Sequence, residues 1–231
     1  MQPQSVDGLK DEDLLAVARQ LCDKLEVKAS DLDRLMWCDY LHDVRASRRI
    51  RVRWYGGRSF GPMLSAHFPV LFDRALVLRE MMKGRLDREE WEPLICSSLI
   101  FYKQLRRKRY IGRSLALLPF LALFAFTIVS GTTYSFLGYP LFPWQAYAVL
   151  LVVFLVSPFF PGLYVIRRLE RQLVFEADRR TAMLLGREHL LQVLEKIDAT
   201  RKSDLVQGRR DDWRDFMFVP TLTERVKHLQ G

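Results

Sequence analysis

The stretch from Ser114 to Ile166 contains no Asp, Glu, Lys or Arg, and no other feature constrains this chain as tightly. Its first arm reads SLALLPFLALFAFTIVSGTTYSFLG and its second LFPWQAYAVLLVVFLVSPFFPGLYVI. A helix that crosses a bilayer needs about 20 mostly apolar residues, and each arm supplies that many. Gly131, Gly138, Pro140 and Pro143 lie between the arms, with Tyr134, Tyr139 and Trp144 close by. Turn formers beside amphipathic aromatics suit a short loop at a membrane surface. The sequence therefore predicts a transmembrane hairpin, with helices over about 114–137 and 142–166. A buried helix pair in a soluble core is the weaker alternative, since interiors seldom sustain uncharged runs of this length.

Both outer flanks of the run are basic. Lys103, Arg106, Arg107, Lys108, Arg109 and Arg113 precede it, and Arg167, Arg168 and Arg171 follow. The positive-inside rule then predicts an integral protein of an inner or plasma membrane, with two spans and both termini cytoplasmic. The same clusters can meet anionic head groups, so the membrane is itself an expected partner. The net charge of +9 is concentrated where topology already calls for it, so nucleic acid is not expected as a partner. The opening MQPQSVDGLKDEDLL is polar and acidic, and no cleavable leader is expected from it. Cys22, Cys38 and Cys96 show no CxxC spacing, which argues against a thiolate metal site or a disulfide framework.

Outside the hairpin, residues 1–113 and 167–231 have room for one modest domain built from two segments. Asp11 to Val27 carries an apolar stripe of Leu14, Leu15, Val17, Ala18, Leu21 and Leu25 behind an acidic first turn, which predicts a helix. Ser30 to Asp43 gives a mixed signal. IRVRWYGG (Ile50 to Gly57) alternates as a strand does, and HFPVLF and ALVL (Ala75 to Leu78) read as two more. Asp87 and Glu90 predict a capping box ahead of a stripe of Trp91, Leu94, Ile95, Ser98, Leu99, Tyr102 and Leu105. A later helix carries RRLERQLVFEADRRTAMLLG and stops at Gly186; Arg187 to Ile197 forms another. The stretch ATRKSDLVQGRRDD is polar and predicts no regular element. Thr221 and Glu224 predict a second capping box and a short last helix.

Helix, strands, helix, hairpin, then a helix bearing FEAD is a distinctive order. With ALVLREMMKGRLDREEWEPLICSSLIFYKQLRRKR, RQLVFEADRRTAMLLGREHLLQVLEKI and VPTLTERVKHL, it resembles the membrane-embedded zinc metalloproteases of the HtpX heat-shock protease and CaaX prenyl protease type. The likeness covers most of the chain from about Arg74 onward. It implies an α+β, zincin-like cytoplasmic domain, interrupted by the two-helix hairpin into N-terminal (1–113) and C-terminal (167–231) halves.

The family's catalytic residues do not carry over. In an H-E-x-x-H helix, two histidines one turn apart bind zinc and the Glu activates the metal-bound water. Laying that helix on this sequence puts Ser97 and Phe101 at the histidine positions and Ser98 at the Glu position. The third ligand, the Glu of E-x-x-A-D, falls at Val174, and the His of the closing segment at Val219. Asp178, which in the family orients the site without binding metal, is retained, as are Pro220, Glu224 and Arg225. The resemblance implies that Arg225 pairs with Asp178, because the family brings the closing segment over the cleft. No catalytic residue, metal ligand or cofactor is therefore expected, zinc belonging to active relatives.

Substitute chemistry is not evident. His42, His67, His189 and His228 form no HxxxH or HxH pair, and Ser97 and Ser98 have no His or Lys at an activating spacing. The expected function is that of an inactive relative that binds or scaffolds a protein or peptide segment at the membrane surface. Two alternatives stay open: a membrane metalloendopeptidase or other hydrolase with a non-standard site, and a structural membrane protein with a closed cleft.

Overall fold

The structure, a computed structural model, describes residues 11–27, 32–38, 64–72, 74–118, 122, 125, 159–208 and 219–231. The expected strand IRVRWYGG lies outside them, as do His42, the loop of the hairpin and most of both its arms. Of the described residues, 73% are helical, with one small sheet of three strands. This corrects the α+β membrane class.

No helix among the described residues is long and apolar enough to cross a membrane. That finding overturns the expected pair of transmembrane spans and, with it, the membrane localisation and cytoplasmic termini deduced from them. The physical reason is legible in the helix Phe159–Leu185. It is long, but its charges begin at Arg167 and continue through Arg168, Glu170 and Arg171, so it holds no apolar window of membrane length.

Helix α1 (Asp11–Lys24) starts with three acidic residues, which suit the positive end of the helix dipole. It buries Leu14, Val17, Ala18, Leu21 and Cys22 along one face. Strand β1 (Arg34–Trp37) pairs in parallel with β3 (Ala75–Leu78), and β2 (Val70–Phe72) pairs with β3 antiparallel. The order β1-β3-β2 puts β3 in the middle, and its four residues are all buried. Of the HFPVLF stretch only Val70–Phe72 is strand; His67 and Phe68 sit in the turn before it.

Helix α2 (Arg88–Leu99) begins at the Asp87–Glu90 capping box, with the Asp87 N–H donating to Glu90 at 2.8 Å. Trp91, Leu94, Ile95 and Leu99 are buried, each worth about 1.5–3 kcal/mol of apolar transfer. α1 packs on α2, and Lys24 reaches Glu92 at 3.6 Å. The helix then widens into a π-turn over Ile100–Gln104, closed by Leu105 N–H donating to the Ile100 carbonyl at 2.9 Å. One extra residue in the turn shifts the register. Phe101 and Leu105 are consequently buried, while Tyr102, expected in the stripe, is only half-buried.

Helix α3 is described over residues 106–118. Helix α4 (Phe159–Leu185) ends at Gly186, whose φ of 96° lies in the left-handed region open to glycine. Helix α5 (Arg187–Val206) runs well past Ile197, so ATRKSDLV is helical. Arg85 to Asp204 (2.6 Å) and Lys202 to Asp198 (2.7 Å) supply there what apolar periodicity does not. Helix α6 (Leu222–Gln230) is capped by Thr221 and Glu224 and packs on α5.

The chain divides into two compact units. One comprises Met1–Arg106 with Leu173–Gly231, and the other Arg107–Gln172. In the second, Arg113 Nε donates to Glu170 at 2.6 Å, and Gly112 lies so near Leu169 that a Cβ there would sit 2.8 Å from its Cδ2. In the first lies the site the resemblance picks out.

Candidate functional site

The residues at the family's zinc positions are side chains of a sealed core. Ser97 and Ser98 are fully buried on α2, Phe101 is 5% exposed and Val174 on α4 is 1% exposed. Each hydroxyl has found an acceptor. Ser98 Oγ donates to the Pro69 carbonyl at 2.5 Å, tying α2 to the segment before β2. Ser97 Oγ donates to Asp178 Oδ1 at 2.6 Å, reaching α4 one turn beyond Val174.

Asp178 is the hub. Besides Ser97 it accepts Arg225 Nε at Oδ2 (2.7 Å) and Arg225 Nη2 at Oδ1 (2.6 Å). The two side chains are both 0% exposed. A planar guanidinium matched to a carboxylate by two parallel bonds is the strongest geometry such a pair can take. The third arm of the fork, Nη1, donates to the His67 carbonyl at 2.6 Å, and the guanidinium carbon lies 5.4 Å from the Phe68 ring centre. Phe68 in turn meets Phe101 edge-on, with ring centres 5.4 Å apart. Asp178, on α4, and Arg225, on α6, are thus joined in the manner the resemblance implies.

The His67 ring continues the network. Its Nε2 is 3.1 Å from the Pro220 carbonyl, which can only accept, so the proton sits on Nε2. Nδ1 is then free to accept from Ser65 Oγ at 3.1 Å; the same hydroxyl is 3.4 Å from Nε2. Burial, and next the Arg225 charge, hold the imidazole well below its ordinary pKa, which keeps it neutral. On α2, burial pushes the Cys96 thiol up to about 11, which makes it a poor nucleophile.

The sequence singles out neither His67 nor Ser65 as a site residue. Nothing local announces them, since Pro220 is 153 residues away in sequence. Glu176, the acidic residue nearest the lost ligand position, turns outward to Arg180 at 2.9 Å. His228 is exposed on α6 and lies over Phe175, ring centres 4.4 Å apart, while His189 is half-buried.

Two hydroxyls, a phenyl ring and an isopropyl group do not fit zinc, which wants Cys, His or carboxylate donors converging at about 2.0–2.3 Å. Among the described residues no three His, Cys, Asp or Glu side chains are grouped so as to hold a metal ion. The Ser65–His67 pair does not make a hydrolase site either. Both residues are buried, and the ring nitrogen that a triad carboxylate would orient is bound to a backbone carbonyl. Comparison with known proteins finds no matching family model, no matching curated protein and no matching solved structure.

Proposed function

We propose that this chain is a non-catalytic relative of the HtpX-type zinc metalloproteases, and that it works by holding a protein or peptide partner without cutting it. The observation that carries the reading is the bond chain Ser97–Asp178–Arg225–His67, buried throughout, which starts at Ser97, one of the positions where the resemblance implies a metal ligand. A metal site ties separate helices together by ligation; here hydrogen bonds and one ion pair do the same. The burial of Ser97, Phe101 and Val174 supports a closed cleft over an open groove, so the partner surface belongs on the outside of the domain.

Metal analysis and peptidase assay of the purified full chain test this, run beside the triple variant Ser97→His, Phe101→His and Val174→Glu. The unaltered chain is expected to hold no stoichiometric zinc and to cleave nothing. Near one zinc per chain, with peptidase activity that a chelator removes, would overturn the proposal.

A further inference from the structure

Two tethers of the C-terminal segment run through a single residue. His67 gives its Nε2–H to the Pro220 carbonyl at 3.1 Å, and its own carbonyl accepts Arg225 Nη1 at 2.6 Å. Among the described residues, the charged and polar groups near it come from several elements. Ser65 stands on its own segment, Arg79 follows β3, Arg201 is on α5, and Arg225 is on α6 with Asp178 of α4 behind it. The three arginines all act against a charge on the ring, and Asp178 is already matched by Arg225.

We propose that His67 is an acid-sensitive fastening for the C-terminal helix, so that its protonation releases residues 219–231 while the α2 core stays folded. A second proton must go to Nδ1. Ser65 Oγ, which donates to Nδ1 of the neutral ring, must then turn to accept from it. The new cation lies beside the Arg225 guanidinium in a place that water does not reach. Undocking α6 relieves that conflict, since it withdraws Arg225 and admits water to the ring and to Asp178. What otherwise holds α6 is the buried Arg225–Asp178 pair, on which a charge on the ring bears directly, with Leu222 and Leu229 buried and the Phe175–His228 stack. A helix of nine residues does not persist once its tertiary contacts go. The sign follows from the lowered value: the docked state is favoured above the free-histidine range and is lost as pH falls below it. The inference stands on these docking contacts and is independent of any partner.

Hydrogen exchange on the full chain, corrected for intrinsic rates, tests it between about pH 7.5 and about pH 5. Amides of 222–230 are expected to lose protection by up to about tenfold per pH unit below the free-histidine value, while Leu94 to Leu99 keep theirs. His67→Gln, which retains a donor for Pro220, should make α6 protection insensitive to pH. Flat protection of α6 in the unaltered chain, or loss in step with α2, overturns the proposal. If His67→Gln fails to fold, NMR titration of the unaltered chain decides. Ring protonation that coincides with release of α6 supports the proposal, and protonation with α6 still docked refutes it.

Discussion

The two compact units handle polarity in opposite ways. Around Asp178 the apolar side chains Phe68, Phe101 and Val174 are buried, and the polar groups among them are bonded to one another. In the unit Arg107–Gln172, Tyr110, Ile111, Leu115, Leu117, Leu118, Tyr164 and Val165 are exposed, while a carboxylate, Glu170, is buried. Similar residues thus do different work: in the first unit they fill a core, and in the second most of the described large apolar side chains stay exposed. Apolar content alone does not tell a core helix from any other; which side chains are covered does.

Asp178→Ala should give the largest effect, a loss of about 3–5 kcal/mol, because it strands a buried guanidinium. Denaturant unfolding would show it, and a loss under about 1 kcal/mol would mean that the pair is not what closes the site. Phe101→Ala should come next, at about 3 kcal/mol or more, from lost burial and the cavity left behind. Its counterpart Leu115→Ala, at a side chain 59% exposed, should stay within about 0.5 kcal/mol, and a large loss there would dissolve the contrast between the units.

What could be read from sequence divides along the range of the interaction. The Asp87–Glu90 and Thr221–Glu224 boxes and the Gly186 stop are contacts within one turn, and their residue types announce them. Strand β1 is short, and its pairing with Ala75–Leu78 lies far along the chain, so Ser30 to Asp43 gave only a mixed signal. The polar end of α5 is not legible in the sequence because one cross-element ion pair, Arg85–Asp204, and one pair within the helix hold it, and no apolar stripe marks it. Asp178 and Arg225 share no local pattern; their pairing was expected through the family resemblance alone. The uncharged run reads as two spans on length and composition, yet the described helix that enters it is charged from Arg167 onward.

Smaller effects sharpen the comparison further. Arg113→Met should cost about 1 kcal/mol, since Glu170 is 6% exposed but Arg113 is 45% exposed and well solvated. Gly112→Ala should be nearly neutral. The new methyl meets the flexible end of Leu169, and the gain in helix propensity of about 1 kcal/mol offsets the crowding. A loss above about 3 kcal/mol would make that contact a rigid one, and the second unit more core-like than its exposed side chains indicate.

The proposed closure of the site rests on a buried ion pair between α4 and α6 and a Ser97 hydrogen bond from α2, without a metal. The most direct test is the unfolding midpoint of the full chain with and without a strong chelator, and again with added zinc. A ligand that binds only the folded state raises stability by mass action, so removing it must lower the midpoint. The account predicts one midpoint under all three conditions; a midpoint that falls with chelator and recovers with zinc would contradict it.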